Sequence, residues 1–436
     1  MVKKTTQTIG SNSDYDILII GGGMVGASLA VALLPLNLKV ALVDAFEFGV
    51  TEQPSYDDRA IALSYGSSRI YQGMGLWDEL QTKTTTIDKI HISDRGHFGA
   101  TRLSAKKEKV PALGYLVESR ILGKQLYDVL DKSKVDIIVP ATVTKLQESE
   151  SNLTVTLLKN DKEAHISTRL LIASDGTQSK VRELSGINVS RADYQQSAVI
   201  ANISTEKTHN NEAFERFTDK GPIALLPLSN NRCSLVWTHD TKNGTDDLDE
   251  TLALDDAAFL KKLGNTFGYR LGRFTKVGKR SSFPLGLLTA DKNTAPRTVI
   301  IGNASHTMHP VAGQGLNLAL RDIAVLADLI SSQLESDSGE KQLEVLNVDI
   351  GNPDLLNAYE ELRDGDIKTT VRYTDSLVRL FSNDNMLLGH ARAGGLLAVD
   401  RLSPLRNWVT RQSMGINYRQ SRLARGLSLK ASGAVQ

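Results

Sequence analysis

Residues 16–26 read DILIIGGGMVG, and their order decides the fold class. An apolar strand pattern, Ile17 to Ile20, runs into Gly21-x-Gly23-x-x-Gly26, and Ala27-Ser-Leu-Ala-Val-Ala-Leu-Leu then reads as an apolar helix stopped near Pro35. A second strand pattern, KVALVD, ends in Asp44. Glycines at that spacing allow a tight turn, close approach of backbone to a pyrophosphate and close packing of helix on strand. The helix N-terminus adds partial positive charge for the phosphates. The acid about 20 residues on is placed to accept a hydrogen bond from a ribose hydroxyl, and its charge repels a 2′-phosphate. The unit therefore predicts an α/β dinucleotide site contacted by Gly21, Gly23, Gly26 and Asp44, for FAD or NAD rather than NADP.

Two later stretches repeat the design. TRLLIASDGTQSKVR (168–182) puts Asp175-Gly176 at a strand end, ahead of a helix. GNASHTMHPVAGQGLNLALRD (302–322) follows the strand pattern 297–301 and leads to a helix starting at about Gly315, with Leu316, Ala319, Leu320 and Ile323 as its apolar positions. Strand-to-loop junctions at about 20, 175 and 302 imply one dinucleotide domain assembled from separated segments. His306 and His309 stand i, i+3, a spacing that chelates when helical. Here they precede the helix, and no cysteine or carboxylate cluster completes a ligand set, so no metal site is expected.

With 436 residues and 41% hydrophobic content, the chain can bury the cores of two or three domains. A net charge of +1 gives no general attraction to nucleic acid, but the charge is uneven. Residues 391–436 carry eight basic residues against Asp400, so that segment is +7 and the remainder −6. Cys233 is the single cysteine, which excludes an intrachain disulfide and suits a reducing compartment. The opening MVKKTTQTIGSNSD lacks the apolar segment of a secretory signal and is read as a disordered lead-in. No apolar run approaches the roughly 18 residues that would cross a bilayer. Residues 391–425 mix arginines with Leu396, Leu397, Val399, Leu402, Leu405, Trp408 and Val409, which fits a helix lying on an anionic membrane. A solvated basic helix and a contact with partner proteins fit the same pattern.

The three junctions in this order resemble the FAD-dependent aromatic hydroxylases. Further stretches, YDDRAIALS (56–64), IHISDRGHFGATRL (90–103), GYLVESRILGKQL (114–126), AFERFTDKGPIALLPLSNNRCSLVW (213–237) and TDSLVRLF (374–381), are similar to the ubiquinone-biosynthesis hydroxylases within that family. SDRGHFG, the FERF to RCSLVW block and Asn303 bring the likeness nearest to the 4-hydroxylases of polyprenylated methoxyphenols. Most aromatic hydroxylases carry Asp where this chain has Asn303.

The resemblance implies a Rossmann-like FAD domain formed by 14–90, 110–190 and 285–335, an antiparallel-sheet substrate domain formed by 91–109 and 191–284, and a helical C-terminal region at 336–436. It implies FAD contacts at Gly302, at Asn303 (toward the ribityl chain), at Pro310 by the ring, and at Leu316 and Asn317. Gly313, Gln314 and Gly315 are expected to aim amides at negative charge on the reduced ring. It also makes Arg59 and Arg120 cofactor contacts; without it, both are ordinary arginines bonded to Asp58 and Glu118. Phe214, Phe217, Leu225, Leu226, Trp237 and Phe283 are candidates for a substrate cavity, although sheet alternation alone makes core the commoner fate of each. No catalytic side chain is singled out.

The implied activity is hydroxylation of a polyprenylated methoxyphenol at ring position 4, with O2 and NADPH or NADH as transient reductant. A sister hydroxylase acting at another ring carbon, and a flavin-binding component of a quinone-synthesis assembly that meets other ubiquinone-biosynthesis proteins, stay open. GxGxxG alone also leaves an NAD-dependent dehydrogenase. No second GxGxxG follows a strand, which argues against a separate nicotinamide domain. A cytoplasmic protein is expected, peripheral to the inner membrane if the basic segment docks there.

Overall fold

The structure is a computed structural model, and it describes residues 13–47, 60–96, 99–336, 348–381 and 386–429. Arg59, Asp58 and the expected N-terminal lead-in, residues 1–12, lie outside the described residues. The strand Tyr15–Ile20 stands inside an eight-stranded sheet. It pairs in parallel with Lys162–Ala173 on one side and Val40–Val43 on the other. Thr298–Ile300 and Asp136–Ile138 extend the parallel set outward. Side chains alternate across a strand, so Ile17 and Ile19 enter one apolar cluster while Leu18 and Ile20 enter another on the opposite face. Burial on both faces is what a central parallel strand needs. The helix Met24–Leu33 is buried almost all round, because small residues let it pack between the sheet and the helices Ser119–Leu130 and Gln314–Ser336.

A nine-stranded sheet holds Ser281–Ala290, Val189–Thr205, Arg232–Asp240, Gly221–Leu228 and Glu212–Thr218 in that order, with the hairpin Lys89–Asp94 and Ala100–Ser104 at its edge. The pairing is antiparallel as expected except where Glu212–Thr218 meets Lys89–Asp94 in parallel. The two strands are far apart in sequence, which satisfies the long crossover that a parallel neighbour requires. Ala60–Ser64, Gly114–Glu118 and Thr85–Ile87 make a third, small sheet. The expected late helix begins at Gln314, one residue early. The chain then folds back as the long helix Pro353–Phe381 against it, and finishes with Met386–Arg401, packed on Ala100–Ser104, and Ser403–Ser413.

Candidate active site

Strand register brings the three junctions to one edge. Ile20 stands opposite Val43 and Ala173, and Ala173 opposite Ile300. Gly21, Asp44, Asp175 and Gly302 thus emerge side by side from the carboxyl ends of parallel strands, the place where such sheets bind ligands. Backbone bonds carry the alignment into the loops: Gly21 N–H donates to Val43 O at 2.8 Å, and Ser174 N–H to Ile20 O at 2.7 Å. Two glycines of the loop tolerate no Cβ. At Gly26 one would lie 1.9 Å from Gly21 O, and at Gly21, with φ of 101°, it would lie 2.5 Å from Ser174 O. Gly23 opens the helix Met24–Leu33 without a side-chain cap, so the first-turn amides present their dipole to the loop. This is a cradle that fits a pyrophosphate.

Asp44 turns back on that loop. Its Oδ2 accepts from Gly22 N–H at 2.5 Å and its Oδ1 from Phe46 N–H at 2.8 Å. Asp175 Oδ2 accepts from the N–H groups of Lys180 and Val181 at 2.9 and 3.2 Å, bracing the short helix Lys180–Leu184. Its Oδ1 is buried without a partner, and burial pushes this carboxyl above the usual range. One acid therefore serves the fold and still offers an oxygen at the loop. Arg120 is exposed and pairs with Glu118 at 3.3 Å, the ordinary partner foreseen for it.

The late loop is set by a group that the sequence did not single out. Gly302, at φ of 60°, donates its N–H to Asp322 Oδ2 at 3.2 Å, and His306 Nε2 donates to the same oxygen at 2.8 Å. Asp322 Oδ1 accepts from Arg363 Nε at 2.8 Å. Burial would raise the Asp322 pKa, but the charge of Arg363 and the hydrogen bonds from His306 and Gly302 outweigh it and hold the carboxyl below its usual value. His309 faces elsewhere: Val311 N–H donates to its Nδ1 at 3.1 Å, and its ring meets Tyr194 edge-on at 5.5 Å. Burial pushes His309 down to about 4, so it is neutral. Asn303 leaves this loop exposed.

One expectation changes here. The Gly313 N–H is already taken, since it donates to Pro310 O at 2.9 Å in the turn that precedes the helix. Gln314 and Gly315 open the helix proper, where first-turn amides gather. A Cβ at Gly315 would meet nothing within 4 Å, whereas at Gly313 it would lie 3.2 Å from Ala62 Cβ. Asn317 is a buried brace: its amide donates to Ala62 O and Gly313 O at 2.8 and 2.6 Å, and its oxygen accepts from Ser64 N–H and the Ser67 hydroxyl. Leu316 beside it is half-buried.

Pro310, Gly313 and Asn317 line one end of an apolar cavity of about 430 Å³. Phe214, Phe217, Ala224, Leu226 and Val236 of the nine-stranded sheet line it as well. Leu225 and Trp237 point to the opposite face, into a core with Phe259 and Leu263, and Phe283 is 36% exposed away from both. The wall that sequence reasoning missed is helical: Tyr373 and Leu377 from the long helix, and Leu396, Val399, Leu405 and Val409 from the last two. The basic C-terminal segment thus has its apolar residues divided between the cavity and solvent. Tyr373 is pushed up to about 12 by burial and by the charge of Glu215, another lining residue, so its hydroxyl stays protonated.

A glycine-walled sheet edge that feeds an apolar chamber roofed by a second sheet defines a flavin-dependent aromatic hydroxylase, with FAD as cofactor. The chain belongs to the family described as FAD binding domain, whose model matches residues 14–347. It is 36% identical to the ubiquinone hydroxylase UbiL of Rhodospirillum rubrum, over 95% of this chain and 93% of that protein. It is 30% identical to the 3-demethoxyubiquinol 3-hydroxylase of Escherichia coli, over 93% of this chain and all of that one. Among solved structures, p-nitrophenol 4-monooxygenase PnpA from Pseudomonas putida DLL-E4 shares the fold, with a TM-score of 0.72 at 15% identity, covering 93% of this chain and 99% of that one.

Proposed function

We propose that this hydroxylase of ubiquinone biosynthesis places one oxygen atom on ring position 4 of a polyprenylated methoxyphenol. The balance is phenol, O2, NADPH or NADH and a proton giving hydroxylated phenol, water and NADP+ or NAD+. The observation that carries the reading is the apolar chamber running from Pro310 and Gly313 to the C-terminal helices. A ring at the first end leaves its tail among Leu396, Val399 and Leu405, where each buried methylene contributes about 0.8 kcal/mol. Bound FAD supplies the redox chemistry by which dioxygen is activated. The chain's own residues bind, orient and exclude water. Gly21, Gly23 and Gly26 meet the pyrophosphate, Asp44 the ribose, Asp175 Oδ1 and Asn303 the linking chain, and the helix start at Gln314 and Gly315 the ring. Pro310 forms a rigid apolar surface beside it. The chain-order assignment of 14–90, 110–190 and 285–335 to FAD, and of 91–109 and 191–284 to substrate, belongs to the same proposal.

A second reading, hydroxylation at another ring carbon, draws support from the 30% identity to the E. coli 3-hydroxylase. Incubation of the FAD-bound protein with NADPH or NADH and a prenylated methoxyphenol, followed by NMR location of the new hydroxyl, decides between them. A product hydroxylated away from position 4 overturns the first reading and leaves the class. Absence of substrate-stimulated NAD(P)H oxidation and oxygen uptake would favour a role in assembly.

Delivery of so apolar a substrate is assigned to an anionic membrane surface meeting residues 391–425. Leu397, Leu402 and Trp408 are 43, 57 and 45% exposed, near Arg401 and Arg411, while Arg406 is tied to Asp400 O at 2.9 Å. No helix among the described residues is long and apolar enough to cross a membrane. Flotation with phosphatidylglycerol vesicles should be lost in a Trp408→Ala, Arg411→Glu variant, and retention would sink the idea.

A further inference from the structure

A second cavity, about 410 Å³, shares Phe214 with the substrate chamber but has a different chemistry. It opens where the hairpin Lys89–Asp94 and Ala100–Ser104, the strand Glu212–Thr218, Arg270 and the end of the helix Met386–Arg401 meet. Arg102, Arg216, Arg270 and Arg401 line it, against Asp94 and Asp400. Both acids are already engaged. Asp94 pairs with the buried Arg392 at 3.2 Å, and Asp400 accepts the Arg102 N–H at 3.0 Å with the Arg102 guanidinium at 3.8 Å. No carboxylate among the described residues pairs with Arg216, Arg270 or Arg401. Arg216 is anchored by donating to Phe267 O at 2.6 Å, and Gly268, at φ of 95°, leaves it room: a Cβ there would lie 3.1 Å from its Nη1.

A buried polar atom completes the wall. His91 is only 4% exposed and lines this cavity, yet its Nδ1 has no hydrogen-bond partner. Burial, and then the charges of Arg270, Arg102 and Arg216, depress its pKa to about 4, so the imidazole adds no charge of its own. Guanidinium groups that outnumber the carboxylates around them repel one another, and a multivalent oxyanion relieves this through paired N–H···O bonds. We propose that this cavity is a binding site for a phosphate-bearing anion, a diphosphate or a phosphate ester. Two sources carry that chemistry: the phosphates of a pyridine dinucleotide, and phospholipid headgroups beside the exposed Leu397. The site itself does not depend on which ring carbon is hydroxylated.

The test uses the full-length FAD-bound protein and inorganic pyrophosphate, followed by calorimetry and by the His91 imidazole signals in NMR. Pyrophosphate is expected to bind and to move those signals. The Arg216→Gln, Arg270→Gln variant should weaken it by tenfold or more, as loss of charge-assisted bonds predicts. Lys162→Gln, at the start of the strand Lys162–Ala173 in the other sheet, should leave it unchanged. If the change at half-buried Arg216 impairs folding, the exposed pair Arg270→Gln, Arg401→Gln takes its place. Undetectable pyrophosphate binding, or equal binding in wild type and variants, overturns the proposal. A parallel loss in NADPH affinity, read by anaerobic flavin reduction, assigns the anion to the dinucleotide. A parallel loss in phosphatidylglycerol but not phosphatidylcholine vesicle binding assigns it to the headgroup. Hydroxylation of the prenylated phenol by wild type is scored separately, so its failure removes the substrate reading without touching this one.

Discussion

Two glycines differ at the level of single atoms in the space around their missing side chains. A methyl at Gly26 would overlap Gly21 O, so Gly26→Ala must displace the loop itself. Gly315 has open space around its missing side chain, so Gly315→Ala should keep the wild-type unfolding midpoint of the FAD-free protein while FAD affinity falls about tenfold or more through contact with the ring. Equal flavin content in Gly315→Ala and wild type would remove the ring from that position. His309 supplies a pH signature. Its folded pKa, about 4, lies below the ordinary 6.5, so the unfolded chain takes up the proton first as pH falls. Its stabilisation is present in full above about pH 6.5 and is lost toward pH 4, by up to about 3 kcal/mol. Urea unfolding between pH 7 and 4 should show this slope, and His309→Asn should flatten it. What was legible at this scale was whatever had a fixed spacing: the glycines and the acid after the second strand. Asp322 was not, because a lone acid inside a helical pattern looks like a solvent-facing residue until Arg363, 41 positions on, is folded against it.

At the scale of elements, alternation sorted the second sheet. Ala224, Leu226 and Val236 line the chamber, whereas Ile223, Leu225 and Trp237 pack beneath the sheet. The sequence presents both sets as equally apolar, since a strand covered on both faces carries no sign of which side is hollow. The same limit hid the helical wall: the mixed Leu and Arg pattern of 391–425 describes an amphipathic helix but not what its apolar side meets. A consequence follows for substrate length. Ala224→Phe adds a ring inside the chamber without entering the underlying core, so it should raise KM for a long-tailed phenol at least tenfold and leave a short-tailed one nearly unaffected. Equal KM effects on both would show that the tail runs elsewhere.

The whole molecule is coupled through buried charge. Asp322 joins Gly302 and His306 of the loop proposed to meet the cofactor to Arg363 of the long helix, and Arg363 also donates to Asp366 at 2.6 Å, which Arg321 meets at 3.3 Å. Asp322, His306 and Arg363 are all essentially inaccessible to water. Removing one partner leaves an uncompensated buried charge, at a cost of about 3–5 kcal/mol, whereas replacing both by apolar groups of similar size is far milder. Arg363→Met should therefore be strongly destabilising in urea, and the Asp322→Leu, Arg363→Met pair should recover much of the loss. The pair still deprives Gly302 N–H and His306 of their acceptor. FAD should accordingly leave the double variant faster than wild type even where global stability has returned, while a core variant such as Leu263→Ala keeps the normal rate although it is less stable. A double variant that releases FAD as slowly as wild type would mean that Asp322 holds the helices together without governing the cofactor loop. Because its folded pKa is depressed, the Asp322 contribution is present above the ordinary carboxylate value and disappears as pH falls through the lower folded one. Acid-induced loss of flavin should therefore begin at higher pH in Arg363→Met, where the charge that keeps Asp322 ionised is gone.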